Sequence, residues 1–387
     1  MRGKSSAQSN ASRAEVAFLE PADRAKFILK QTGGIMNSQR WIFGFLTHDF
    51  SKSLVFASAL IGFNASFVGA QPVIAVGPGA PHVPVVKRIT VNIGAGNDTL
   101  SFSAYRRTFT GGVRVAVGDV NGDGVADIIT GPGPGTGTRI NVFDGVTGDR
   151  LRSFLAFTGF YRGGVFVAAG DVNGDGKADI IVGTDSGAPP IVRVFDGAQG
   201  NLIRSFFAYS PLFTGGVRVA AGDVNGDGIA DVITGPGAEG GPNVKIFDGT
   251  NGTLLQSFFA YAAGFTGGVY VAAGDVNGDG FADIVTGPGS GGGPQVKAFH
   301  GVTLETLKSF FAYDRTFQGG VRVAAGDVNG DGLADIVTGA GPGTGPLVKV
   351  FESQSLNLLH SFFAYEANFT GGVFVGALGP RRRVGGR

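Results

Sequence analysis

The chain has 387 residues, 69 of them glycine and 33 phenylalanine, with 16% charged residues and a formal net charge of +1. That near-neutral balance implies no general attraction to nucleic acid or to an anionic membrane, and a cysteine count of 0 excludes disulfides and thiolate metal sites. Glycine follows no three-residue period and 43% of the residues are hydrophobic, which removes collagen and disorder and leaves short apolar runs between glycine-rich turns, the pattern of an all-β chain.

Residues 1–70 stand apart from everything that follows. Leu54–Phe63 is an apolar run of ten residues, preceded by Arg40 and Lys52. It is too short to span a bilayer comfortably and suits the apolar region of a signal peptide. Val68-Gly69-Ala70 supplies the small residues of a cleavage site, which would leave Gln71 as the mature N-terminus. The long stretch before the run makes Met36 an alternative start. The competing reading of the run is an amphipathic or buried helix. The expectation is a secreted or cell-surface protein with no stable membrane span in the mature chain.

From residue 71 the chain repeats itself. Asp119-Val-Asn-Gly-Asp-Gly-Val-Ala-Asp127 recurs from Asp171, Asp223, Asp275 and Asp327, at a spacing of 52 residues. Gly-Gly-Val-x-Val begins at Gly111, Gly163, Gly215, Gly267, Gly319 and Gly371, and Ser-Phe-x-Ala-Tyr/Phe at Ser101, Ser153, Ser205, Ser257, Ser309 and Ser361. Each unit reads as four short strands joined by an acidic loop, a Gly-Pro-Gly turn and an Asp-Gly turn, which is a propeller blade. Five units are complete. Residues 73–105 supply a second, third and fourth strand, and Gly371–Val375 supplies the missing first. Together they make a sixth blade from both chain ends, which removes the open sheet edges. The predicted fold is an all-β, six-bladed propeller over 71–378 with a basic tail at 379–387; seven blades is the alternative if the chain is truncated. The x of Gly-Gly-Val-x-Val runs Arg114, Phe166, Arg218, Tyr270, Arg322, Phe374. Strict alternation of cation and aromatic closes only on an even number of blades.

The acidic loop carries the chemistry. Calcium takes six to eight oxygens from carboxylates, amides and backbone carbonyls. Positions 1, 3, 5 and 9 of the loop offer side-chain oxygens, position 7 a backbone carbonyl, and glycine at position 6 permits the turn. The predicted ligands are Asp119, Asn121, Asp123, Val125 and Asp127 in the first loop, and Asp171, Asn173, Asp175, Lys177 and Asp179 in the second. The third loop offers Asp223, Asn225, Asp227, Ile229 and Asp231, and the fourth Asp275, Asn277, Asp279, Phe281 and Asp283. The fifth offers Asp327, Asn329, Asp331, Leu333 and Asp335. The bland alternative is that Asn-Gly and Asp-Gly are merely good turn residues. Three acids and an asparagine at fixed offsets exceed what a turn needs. The expectation is about five calcium sites on one rim, with the oxygens of each loop converging.

These features together resemble FG-GAP repeats, also called VCBS-type repeats, as in the propeller of integrin alpha subunits and many bacterial secreted proteins. The resemblance covers about residues 72–378. It implies calcium at the five loops and none at the sixth position, where Gly379-Pro-Arg-Arg-Arg383 replaces the acidic motif. It also implies adhesion or ligand binding, without naming the ligand.

Other features read as structural. The Gly-Pro-Gly stretches precede no helix and lack Gly-Lys-Ser/Thr, so they are turns and not phosphate cradles. The recurring Phe and Tyr are core packing between blades. Trp41 lies outside the repeats, which weakens a sugar-stacking reading. His48, His82, His300 and His360 are scattered, and no catalytic constellation stands apart from the loops. The expected function is a secreted, calcium-binding, non-enzymatic module for an extracellular protein or glycan. The alternatives are a calcium-dependent hydrolase or lyase working at one propeller face, or a structural piece of a larger surface protein.

Overall fold

A computed structural model describes residues 13–17, 28–32, 71–90, 98–157 and 160–379. The chain divides into two units, Met1–Phe67 and Val68–Arg387. In the first, Arg13–Ala17 pairs antiparallel with Ile28–Thr32. The apolar run, its cleavage motif, Trp41 and the basic tail lie outside the described residues.

The second unit is a six-bladed, all-β propeller of four-stranded antiparallel sheets. The first complete blade runs Val113–Gly118, Asp127–Pro132, Arg139–Phe143 and Arg150–Leu155, and four more follow in the same order. The last blade joins Val373–Leu378 to Val73–Pro78, in register from Val373↔Pro78 to Leu378↔Val73, and continues through Val85–Thr90 and Asp98–Ser103. The chain ends therefore close the ring as the complementary fragments predict.

Burial follows strand position. Second strands such as Asp127–Pro132 and Asp231–Pro236 are buried at every residue, whereas fourth strands such as Leu202–Phe207 alternate between half-buried and exposed. A strand covered by blades on both faces needs Ile and Val throughout; an outer strand needs them on one face only. Glycine closes the inner strand of each of the five complete blades, where the next blade comes close; Leu378 ends the sixth. A Cβ on Gly118 would lie 2.7 Å from the Ala169 Cβ and 2.8 Å from the Ala178 Cβ of the next blade.

In five of the six blades a Tyr just after the fourth strand makes a polar tie to the following blade; Phe157 holds the place in the other. The Tyr105 hydroxyl donates to the carbonyls of Thr130 and Arg139 at 3.0 and 2.9 Å. Tyr209 does the same further round, and Tyr313 donates to the Leu347 carbonyl at 3.0 Å. Tyr365 does it across the closure, donating to Val76 and Val85 at 3.1 and 2.8 Å. Lys245, Lys297 and Lys349 return the tie, each donating its Nζ to an alanine carbonyl of the preceding blade at 3.0–3.1 Å.

Candidate functional site

Each acidic loop joins the first strand of its blade to the second, so all five lie at the same end of the inner strands. They are also bonded in series. The N–H of position 8 donates to the position-1 carbonyl of the preceding loop: Ala178 to Asp119 at 2.8 Å, then Ala230 to Asp171, Ala282 to Asp223 and Ala334 to Asp275 at 2.7 Å. This is the single rim that the repeat predicts. The variable position 7 has a neighbourly role as well. Lys177, Ile229, Phe281 and Leu333 lie over the position-4 glycine of the preceding loop, closest to a Cβ built there.

Inside the loops one hydrogen-bond pattern repeats. Position 1 accepts from two glycines, Gly122 to Asp119 Oδ1 at 2.7 Å and Gly124 to Oδ2 at 3.0 Å. Position 3 accepts from the N–H of position 5, and position 5 from that of position 7, at 2.8 and 2.7 Å in the first loop. Position 9 reaches back, with Asp127 Oδ2 accepting from Val120 at 3.1 Å. The same bonds recur in the loops of Asp171, Asp223, Asp275 and Asp327. Glycines 4 and 6 make the curl possible: Gly122 and Gly124 have φ of +80° and +86°, a region side chains disfavour. The sequence identified position 6; position 4 has the same requirement.

The position-9 carboxylates are the strained members. Asp127, Asp179, Asp231, Asp283 and Asp335 are all 0% exposed. Burial pushes Asp127 up to about 7 and the other four up to about 6, despite backbone N–H bonds that lower them. Neighbouring loop carboxylates add to the rise, as Asp123 and Asp119 do for Asp127. In four blades the second oxygen is satisfied by a turn glycine, as Gly145 donates to Asp127 Oδ1 at 3.2 Å. In the fifth, Ser353 replaces that glycine. Asp335 Oδ1 and Ser353 Oγ are buried with no hydrogen-bond partner among the described residues.

This donor set fits a hard cation: it is all oxygen, negatively charged, partly buried, and in one copy holds an unsatisfied buried carboxylate oxygen. The expected convergence is looser than the spacing alone suggests. Among the described His, Asp and Glu side chains, only Asp279, Asp283 and His300 bring three ligand atoms within 4.8 Å of one another. In every loop, the fourth included, the carboxylates are drawn onto separate backbone N–H groups.

His300 is the residue that the sequence reading passed over. It occupies the turn position held by Asp144 in the first blade. Asp144 Oδ1 accepts from Val146 and Thr147, both at 2.8 Å; His300 Nδ1 accepts from Val302 and Thr303 at 3.0 and 3.2 Å. An accepting Nδ1 leaves the proton on Nε2, which lies 2.9 Å from Asp279 Oδ2. That nitrogen is a donor to the loop and not a metal ligand. The signal for it was the one histidine in a series of Asp-Gly turns.

At the opposite end of the inner strands the alternating ring is realised. Arg114, Arg218 and Arg322 are only 8%, 8% and 7% exposed, and each guanidinium contacts both flanking rings. The distances to ring centroids are 5.0 and 5.1 Å for Arg114 with Phe166 and Phe374, and 5.9 and 3.8 Å for Arg218 with Phe166 and Tyr270. For Arg322 they are 5.6 and 4.7 Å with Tyr270 and Phe374. The rings also meet, Phe166 lying 6.3 Å from Tyr270 and 6.4 Å from Phe374. A separate cleft of about 640 Å³ opens beside Tyr105, Phe109, Pro134, Arg139 and Leu155.

A model of the FG-GAP-like repeat matches residues 171–234 and 223–286, and a model of the FG-GAP repeat matches 111–139 and 319–350. The chain carries FG-GAP repeats. Among solved structures, this FG-GAP propeller is similar to rhamnogalacturonan lyase YesW at 14% identity, covering 76% of this chain and 65% of that one with a TM-score of 0.40. It is similar to a Bacillus licheniformis rhamnogalacturonan lyase at 14% identity, 79% and 69% coverage and a TM-score of 0.39. Against the V. cholerae biofilm matrix protein Bap1 the values are 23%, 65%, 39% and 0.35. The chain spans 65% and 62% of the lengths of lyases YesW and YesX.

Proposed function

We propose that this FG-GAP propeller is a secreted, calcium-stabilised binding module for an extracellular protein or glycan, and that it is not an enzyme. The observation that carries the reading is the fivefold repetition of one acidic loop, curled by the same backbone hydrogen bonds and linked in series along one rim. In the second, third and fifth loops no carboxylate forms an ion pair with a described residue. Each buried position-9 carboxyl is disfavoured as an anion, and a divalent cation held with positions 1, 3 and 5 reverses that. Near-identical blades suit a rigid platform better than an asymmetric catalytic site.

Calorimetric titration of the chelated full chain tests the metal. We expect close to five calcium equivalents and a large rise in melting temperature. Absence of both would reduce the loops to turns. A glycan and protein array read with and without calcium tests the binding role, and signal independent of calcium on every probe would overturn it.

A further inference from the structure

The ring at the other end of the inner strands has a charge imbalance. Three guanidiniums are buried there, and a guanidinium cannot neutralise itself by losing a proton. Among the described residues only Arg114 of the three has a carboxylate counter-ion: it pairs with Asp185, from the turn after the second strand of the next blade. Asp185 occupies a place held by glycine in every other blade, as Gly183-Thr-Asp-Ser-Gly187 replaces stretches such as Gly235-Pro-Gly237 and Gly287-Pro-Gly289. By the two-blade step of the ring, the residue matching Asp185 is Gly289 for Arg218 and Gly79 for Arg322. Neither can supply a carboxylate.

The two unpaired arginines make what bonds they can. Arg218 Nη1 donates to the Pro236 carbonyl at 3.2 Å and Arg322 Nη1 to the Ala340 carbonyl at 3.1 Å. The Nε of each is buried and has no partner. Cation–π contact offsets part of the burial of a charge, and Arg322 also hydrogen-bonds the Tyr270 hydroxyl, but neither arginine meets a carboxylate among the described residues. Between the two arginines stands Tyr270. Burial alone would raise its hydroxyl, yet the charges of Arg218 and Arg322 hold it below the ordinary phenol range. Tyr270 and Phe374 are themselves half-buried and not fully enclosed.

We infer that Arg218 and Arg322, with Tyr270 between them, form a binding site for a carboxylate supplied by a small organic acid or an acidic sugar. The chain contains its own precedent, because Asp185 delivers that group to Arg114 from inside the fold. The planar fork of each guanidinium suits a carboxylate, and three aromatic rings beside it give the carbon skeleton of the ligand an apolar neighbour. This site is independent of the acidic loops, which lie at the far ends of the same strands.

The test uses the full chain in calcium buffer. Acetate probes the carboxylate alone and glucuronate an acidic sugar; sodium chloride at equal ionic strength and glucose are the controls. We expect a saturable rise in melting temperature and a near-ultraviolet tyrosine difference band with at least one carboxylate, and neither with the controls. A response to glucuronate only assigns an acidic sugar, and a response to both assigns the carboxylate itself. In Arg218→Gln/Arg322→Gln the melting shift should vanish, and Asp185→Asn should add a further binding equivalent by exposing Arg114. Should the double variant fail to fold, Tyr270→Phe decides: the difference band must disappear from it. No saturable response to either carboxylate, a shift that survives loss of both arginines, or a band that persists without Tyr270 overturns the site.

Discussion

The two ends of the inner strands hold opposite charges by opposite means. At the loop end, five sets of three carboxylates are each contained within nine residues, every set bound by its own backbone. At the ring end, three arginines and three aromatics come from six blades, and every contact crosses from one blade to the next, with Arg114 and Phe374 meeting only where the ring closes. The loops repeat because each is a local solution. The ring alternates because its solution is pairwise, a cation always facing two rings. Local charge needs a ligand or a proton to be relieved, whereas distributed charge can be partly relieved by packing.

Removing metal should have the largest effect, because it strikes five sites at once. A native-state ligand at a hundredfold excess over Kd contributes about 2.7 kcal/mol per site. Chelation should therefore lower the melting temperature by far more than any single substitution in the ring, as differential scanning calorimetry would show. Asp231→Asn, which touches one loop, should forfeit about that one increment and bind one calcium fewer by titration. If it cost as much as chelation, the loops would not be the independent units their geometry describes.

Arg218→Ala strikes the ring. It gives up contacts to Phe166 and Tyr270, together worth about 1–4 kcal/mol, and leaves calcium stoichiometry unchanged. A loss of calcium equivalents in this variant would show that the two ends are coupled.

A smaller effect concerns pH. The position-9 carboxyls favour the fold in their protonated form, because burial raises Asp127 to about 7 and the others to about 6. That contribution is whole below the unfolded carboxyl value of 3.8 and is lost as pH rises through about 6 to 7. The chelated protein should lose stability across that window, as melts at stepped pH would register, and saturating calcium should flatten the curve.

The smallest expected effect is at His300, whose Nε2 engages Asp279 in the fourth loop alone. His300→Asp restores the turn residue of the first three complete blades and frees Asp279. Titration should then show the fourth site binding calcium a few-fold more tightly; weaker binding would mean that the imidazole helps to shape the loop.

The sequence by itself determined the blade count, the chain-end closure and the nine-residue loops. Each of these is written in local spacing: 52 residues from Asp119 to Asp171, glycine where φ is positive, and complementary fragments at the two ends of the repeat. The Arg–aromatic alternation was legible too, because parity survives any uncertainty in strand bounds. Only the tertiary structure decided that Asp185 neutralises Arg114 while Arg218 and Arg322 have no carboxylate, that His300 reaches Asp279, and that Ser353 leaves Asp335 Oδ1 unsatisfied. Those facts depend on which side chains of different strands and blades approach within a few ångströms, and a repeat records the period of a chain but not the distances across it.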